Sequence, residues 1–201
     1  RKPLPWYLQF VAPILGGVGF GVYFGCDWLD TIVGVIICGG IEVYLGNKLN
    51  KKEDNLVVYN LIIAFLSAAA VLLAGKIGFG HHPDRIVLGL NMVLISGLGV
   101  ANGIRDVVKR AYLSGILNIT NACLGAVAIA CGTGLAMLIF KGDMYEMYIA
   151  PSITVQLVSC GVASMGFALV FKTGVKQSVY AGIGGAINCA FYVLGLHLWG
   201  N

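Results

Sequence analysis

Residues 56–75 read Leu-Val-Val-Tyr-Asn-Leu-Ile-Ile-Ala-Phe-Leu-Ser-Ala-Ala-Ala-Val-Leu-Leu-Ala-Gly, from Leu56 to Gly75, with no Asp, Glu, Lys or Arg among them. A helix of about 20 mainly apolar residues crosses the hydrocarbon core of a bilayer. A strand of a membrane barrel would instead show about ten residues of alternating polarity. The run is continuous and twice that length, so it is read as a membrane helix. Outward from it, six more stretches have the same character: Leu8–Gly25, Leu29–Leu45, Ile86–Gly103, Gly115–Phe140, Tyr148–Phe171 and Val179–Trp199. The breaks between them are short and polar, which makes successive spans antiparallel neighbours. The expected fold is an all-α integral membrane protein with seven transmembrane helices.

Composition agrees. The 201 residues are 58% hydrophobic and only 11% charged, with a mean hydropathy of +0.87, against about 25% charged in soluble domains. The apolar content excludes disorder. The 29 glycines have no period of three, which excludes collagen. A net charge of +4, with the basic residues at segment ends, argues against nucleic-acid binding. The partner these numbers require is the lipid bilayer. A signal peptide is a poor reading of the start, because the first apolar stretch follows Pro3, Pro5 and Trp6 and runs straight into a second one. The chain opens on Arg1, which is read as the start of a fragment.

Basic residues orient the spans. Arg1, Lys2, Lys48, Lys51, Lys52, Arg105, Lys109, Arg110, Lys172 and Lys176 fall on the N-terminal side, and only Lys76, Arg85 and Lys141 on the other. Lys and Arg of short loops stay cytoplasmic, so the N-terminus is expected in the cytoplasm and Asn201 outside.

Small and polar residues carry the finer reading. Gly17, Gly21 and Gly25 recur at every fourth position, a ridge that lets another helix approach closely. Ser152, Gln156, Ser159, Ala163 and Gly166 share one helical face, which is either helix–helix packing or the lining of a polar path. Ala181, Gly185 and Asn188 pose the same alternative. The six cysteines show no metal or redox spacing and read as packing residues. Asp27 and Asp30 read as helix-capping groups, and Asp30 is also carried as a coupling candidate. Glu42 is an acidic residue near the cytoplasmic end of the second span, read either as a snorkelling or Lys-paired structural group or as a candidate proton carrier. Asn91 and Asn102 lie three turns apart on one face. Ser96, Gly97 and Gly99 interrupt the fourth span and could unwind it, exposing backbone to a substrate. Arg105 could bind a carboxylate, or pair with Asp106 at the cytoplasmic surface. Asn118, Thr120 and Asn121 follow early in the fifth span. His81 and His82 read as solvated loop residues. No nucleophile–base or zinc-protease motif occurs, so no enzyme activity and no cofactor are expected.

Gly19-Phe20-Gly21-Val22-Tyr23-Phe24 is echoed by Gly166-Phe167-Ala168-Leu169-Val170-Phe171. Both segments lead through a short polar break into a helix with a Gly pair, Gly39-Gly40 and Gly184-Gly185. The two echoes run in opposite directions across the membrane. That is the signature of inverted repeats in secondary transporters. The expected organisation is a first five-helix repeat over 1–147 and the opening two helices of a second over 148–201, within a ten-helix whole.

Three blocks resemble the threonine/serine exporter family: Phe24-Gly25-Cys26-Asp27-Trp28-Leu29-Asp30; Ser96-Gly97-Leu98-Gly99-Val100-Ala101-Asn102-Gly103-Ile104-Arg105-Asp106 followed by Tyr112-Leu113-Ser114-Gly115; and Ala163–Phe171. The resemblance implies an inner-membrane, proton-driven exporter built of two five-helix halves, with the second half a separate subunit in some bacteria. It further implies a cytoplasmic domain ahead of Arg1 and about three helices after Asn201. The sequence departs from the family pattern at Ser96, where the family has Pro, at Ala111, where it has an acidic residue, and at Asn118 and Asn121, where it has Arg and Glu. A small neutral amino acid or related zwitterion fits these neutral positions. The expected substrate ligands are Asn91, Asn102, Arg105, Asn118, Asn121 and Gln156, with Glu42, Asp30 and Asp106 as proton-coupling candidates and no metal. A homo-oligomer or a second membrane subunit is the partner considered. The rival reading is a structural or regulatory membrane subunit without transport.

Overall fold

The computed structural model describes residues 6–38, 40–41, 55–95, 97–140, 151–171 and 173–199. These form eight helices and, among the described residues, no strand. They are α1 (Trp6–Tyr23), α2 (Trp28–Ile37), α3 (Leu56–Ile77), α4 (Pro83–Leu94), α5 (Gly97–Val108), α6 (Tyr112–Phe140), α7 (Ile153–Val170) and α8 (Val175–Trp199). Four of them, α3, α6, α7 and α8, are long and apolar enough to cross a membrane, and α4 with α5 makes a fifth if that bent pair is one span. Within the described residues α1 and α2 are shorter apolar helices.

The fourth predicted span is two helices, not one. Ile95 leaves the helical conformation (φ −67°, ψ 120°), and α4 and α5 meet at 40°. The sequence placed the interruption at Ser96, Gly97 and Gly99, within a few residues of it. The polar break expected from Ile104 to Ser114 is a correction. Helix α5 continues through Arg105 and Asp106 to Val108, and α6 already starts at Tyr112. The turn between them is closed by Arg110 in the left-handed region (φ 64°), with Ala111 N–H donating to the Asp106 carbonyl. Ends of other spans also move: α8 begins at Val175 and not Val179.

Crossings are set by small residues. At Gly19 of α1 a Cβ would stand 2.6 Å from the Ala163 nitrogen of α7, and at Gly166 one would stand 2.9 Å from the Gly16 Cα. As residue numbers rise along α1 they fall along α7, so the two helices are antiparallel. Helix α4 crosses α1 where Gly89 sits against Gly17 and Gly21. The expected ridge therefore exists at Gly17 and Gly21. Gly25 is a correction, since it lies beyond the end of α1 in a turn (φ 86°) that needs a residue tolerant of positive φ. Helices α3 and α6 run parallel, with Asn60 at Gly125 near one end and Lys76 over the Phe140 ring near the other. The core joins Val33, Ile37 and Cys38 of the α2 segment to Ala68–Leu72 of α3, Ile86, Val87 and Leu90 of α4 and Ala136 of α6.

The two ends of the bundle differ in charge. One gathers the α1–α2 turn, the α3–α4 loop and the C-terminal end of α6, with Lys76 and Arg85. The other gathers the start of α1 and the α5–α6 turn, with Arg105, Lys109 and Arg110, and the start of α8 with Lys176.

Hairpins α1–α2 and α7–α8 are built alike. A shift of 147 residues carries the end of α1 at Tyr23 to the end of α7 at Val170, and the start of α2 at Trp28 to the start of α8 at Val175, so the two hairpins have equal connections. The turns share their hydrogen bonds at the same shift. Phe24 N–H to Phe20 O (2.9 Å) corresponds to Phe171 N–H to Phe167 O (3.2 Å), and Cys26 N–H to Gly21 O (3.0 Å) to Thr173 N–H to Ala168 O (3.2 Å). Thr31 Oγ1 donates to Asp27 O at 2.9 Å, and its counterpart Ser178 Oγ donates to Gly174 O at 3.2 Å.

Candidate functional site

Sequence-selected polar residues fall into three separate places. The first is the α5–α6 hairpin. Gly103 and Gly115 bring these helices together: a Cβ at Gly103 would stand 2.9 Å from the Gly115 carbonyl oxygen, and one at Gly115 would stand 2.8 Å from that of Gly103. Beside this crossing the Asp106 carboxylate accepts from Ser114 Oγ (2.8 Å) and Asn118 Nδ2 (3.1 Å). Asn102 lies one turn before Asp106 on α5, and Asn121 one turn after Asn118 on α6. The helices are antiparallel, so both steps lead the same way, and the four residues continue one polar stripe toward the break at Ile95. Asn102, Arg105 and Asn121 are exposed on the bundle surface. Bare amides facing hydrocarbon are costly, so this stripe suits a wet path or a contact with other protein.

The second place lies on α4, three to four residues before the break. Asn91 Nδ2 donates to Thr133 Oγ1 of α6 at 3.1 Å. The sequence offered Asn91 but not its partner, because a lone Thr in an apolar run carries no signal. It also passed over Asn60 and Ser67 of α3. These are seven residues apart on one face, and both are almost fully buried. Asn60 lies against Gly125, and Ser67 Oγ has no hydrogen-bond partner among the described residues. A polar seam thus runs between α3, α4 and α6 near the broken helix. The break takes carbonyls at the end of α4 and N–H groups at the start of α5 out of helical pairing, and the Gly97 N–H donates instead to the Ile95 carbonyl at 2.9 Å. Such groups carry the partial charges of the two helix ends, positive at the N–H groups and negative at the carbonyls.

The third place is the far end, around Asp30. Its side chain is wholly buried. Oδ1 accepts the backbone N–H of His81 (2.7 Å) and of His82 (3.3 Å), and Oδ2 accepts that of Asp27 (3.2 Å). Capping is therefore only part of its role, since the same carboxylate pins the α3–α4 loop to the start of α2. Arg85, also buried, donates to the Gly25 carbonyl at 2.7 Å. His82 is a correction to the solvated reading: its side chain is 21% exposed, against 62% for His81. Between α1, α2 and α4 a void of about 10 Å³, lined by Asp30, Cys26 and Gly21 among others, has room for one water. Burial, and then the negative charge of Asp30, push the Cys26 thiol up to about 12.

Gln156 stands apart from all three. Its amide donates to the Pro151 carbonyl at 2.8 Å, and Ser159 Oγ donates to the Gln156 carbonyl. The stripe that contains them is the face of α7 that meets α1 at Ala163 and Gly166, which is the packing alternative of the two. Glu42 lies outside the described residues.

Comparison with curated proteins and with solved structures found no match. The model of the threonine/serine exporter family, ThrE, matches residues 1–140. That stretch takes in α1 to α6, the broken helix and the Asn102–Asp106 block, and it ends before the echo at Gly166–Phe171. The chain belongs to the threonine/serine exporter family.

Proposed function

We propose that this chain is the membrane part of a secondary transporter in the inner (plasma) membrane that exports small neutral amino acids of the threonine/serine kind by antiport against protons. One observation carries the reading: a helix of the family-matched region breaks at Ile95, and a polar stripe from Asn102 to Asn118 leads away from the break. The N–H groups at the start of α5 are suited to a substrate carboxylate, and the carbonyls at the end of α4 to its ammonium group. Asn91, Asn102, Asn118 and Asn121 supply neutral hydrogen bonds, with Arg105 at the cytoplasmic mouth. Gln156 takes part only if the α1–α7 contact opens. Proton coupling is assigned to Glu42, with Asp30 and Asp106 as further carboxylates on the route.

The orientation proposed has seven spans with a cytoplasmic N-terminus. Supporting it, Arg105, Lys109, Arg110 and Lys176 share the end of the bundle where α1 starts, the arrangement that short cytoplasmic loops favour. The proposed plan is an inverted repeat with α1–α2 and α7–α8 as equivalent hairpins. Supporting it are the common shift of 147 residues in helix ends and turn hydrogen bonds and the antiparallel contact of α1 with α7. Transport of this kind needs no catalytic residue and no cofactor.

The test is counterflow in proteoliposomes. Vesicles loaded with unlabelled serine should accumulate labelled threonine transiently, and vesicles loaded with a dicarboxylate should not. Equal accumulation in protein-free vesicles would refute the transport reading.

A further inference from the structure

Two segments far apart in the chain deliver metal-ligating side chains to one spot. Asp27 and Asp30 stand at the start of α2. His82, 52 positions after Asp30, stands at the end of the α3–α4 loop with His81 before it. Gly78 (φ 91°) and Gly80 (φ 99°) turn that loop back over α2, and a Cβ at Gly80 would lie 3.2 Å from Asp30 Oδ1. One ligand atom from each of Asp27, Asp30 and His82 lies within 4.8 Å of the other two. His82 Nε2 is 3.9 Å from Asp27 Oδ2, and His81 Nδ1, on an exposed ring, is 3.8 Å from the same oxygen. No metal spacing is visible along the chain because the histidines and the carboxylates come from different loops.

Charge at this spot favours a cation. Asp30 is wholly buried, and its Oδ2 accepts the backbone N–H of Asp27, so two carboxylates share one turn of chain. Among the described residues no Lys or Arg pairs with either, and the buried Arg85 donates instead to the Gly25 carbonyl. A carboxylate taken out of water without an opposite charge is costly. The N–H groups of His81 and His82 hold the Asp30 carboxylate in place, as outer groups orient the ligands of a metal site. Among the described donors Oδ2 takes only one N–H, and a carboxylate oxygen has two lone pairs. The donor set selects the metal. One imidazole with two carboxylates suits zinc and its first-row neighbours, whereas calcium takes six to eight oxygens. Zinc bonds of about 2.0–2.2 Å place tetrahedral ligand atoms about 3.4 Å apart, so the set closes by roughly 1 Å on binding. The Asp27 side chain, 61% exposed, has room to swing inward. A water or His81 completes the fourth position.

We propose that Asp27, Asp30 and His82 bind one divalent transition metal of the zinc type, which ties the α3–α4 loop to the start of α2. The site goes beyond the transport reading and stands whatever substrate the chain carries.

Zinc titration of the full chain tests it, with the protein purified in detergent without a polyhistidine tag and stripped by a chelator. Calorimetry reads stoichiometry and affinity, and hydrogen exchange reads the loop. The expected result is one zinc lost from the protein when either proposed ligand is changed, and slower exchange at residues 78–82 when zinc is bound. His82→Gln and Asp27→Asn should each weaken binding at least about ten-fold, a loss typical even of groups that only support a ligand. His197→Gln, at an exposed histidine of α8, should leave that binding unchanged. Asp27 is exposed, so its variant keeps the fold and decides the matter should His82→Gln fail to fold. No saturable zinc binding by the wild type, or equal affinity in Asp27→Asn, would overturn the site. Binding with unchanged exchange at residues 78–82 would overturn the tie between the two segments.

Discussion

Phe20 and Phe167 meet edge to face, their ring centroids 5.5 Å apart and their planes at 89°. They are the same position of the two echoed segments, separated by the 147 residues that also relate the ends of α1 and α7. A residue that touches its own counterpart lies on a local two-fold axis. The neighbouring contacts obey that axis as well, since Gly19 with Ala163 is turned into Gly166 with Gly16.

Closing that axis depends on small residues. Gly19→Val places branched carbons where a Cβ alone would stand 2.6 Å from the Ala163 nitrogen. Forcing a larger side chain into a packed crossing costs about 1–3 kcal/mol. A lower unfolding temperature in detergent is expected, with Gly195→Val, at a glycine with open space around it, as the neutral control. Equal stability of the two variants would contradict the packing assigned to α1 and α7.

Asp30 ties three backbone N–H groups to one buried carboxylate. Asp30→Ala strands them; because these bonds are only part-buried, the cost per group falls below the about 1–3 kcal/mol of a fully buried unpaired donor. Asp30→Asn keeps acceptor oxygen on one side only and should lie between Ala and wild type in thermal stability. If transport by Asp30→Asn keeps its proton-gradient dependence, the role of Asp30 is structural; if that dependence disappears, it belongs to the coupling route.

Cys26 gives a pH dependence whose sign is fixed. Its pKa rises from 9.0 to about 12 on folding, chiefly by burial. The unfolded chain therefore loses this proton first as pH rises. The contribution to stability is whole below pH 9 and is lost progressively between pH 9 and about 12. Cys26→Ser should flatten the decline of stability over that window. Maleimide labelling of Cys26 should stay slow at neutral pH and accelerate through the alkaline range. Rapid labelling at neutral pH would contradict the burial of this thiol.

Two variants address the site itself. Asn102→Leu should abolish export while leaving membrane insertion and thermal stability intact, because Asn102 is exposed and supports no packing. Wild-type rates for this variant would remove Asn102 from the path. Glu42→Gln should export without dependence on the proton gradient, and an unchanged dependence would sink its coupling role.

Much of the helical architecture was legible in the sequence, for a plain physical reason. Long apolar runs such as Leu56–Gly75 have one solution in a bilayer, and the Ser96–Gly99 run marked the weak point of the fourth span close to Ile95. Ends were less legible. Arg105 and Asp106 look like loop residues, yet α5 keeps them helical because the Asp106 carboxylate has Ser114 and Asn118 to accept from across the turn. Asp30 looked like a cap because its second set of partners comes from His81 and His82, more than fifty positions away. Thr133, Asn60 and Ser67 had no local signature at all, since their significance lies in which helix each one faces. The echo at Gly166–Phe171 was visible as three identities in six. Its full extent lies in turn hydrogen bonds and helix ends that tolerate Cys26 opposite Thr173 and Asp27 opposite Gly174.

Efflux of preloaded labelled threonine and serine is the most direct measurement. Cells or vesicles carrying the protein would be compared with empty controls, with and without a proton gradient. Release above the control, accelerated by the gradient and suppressed by excess unlabelled serine, is the predicted result. No release above control, with insertion verified, would contradict the exporter reading.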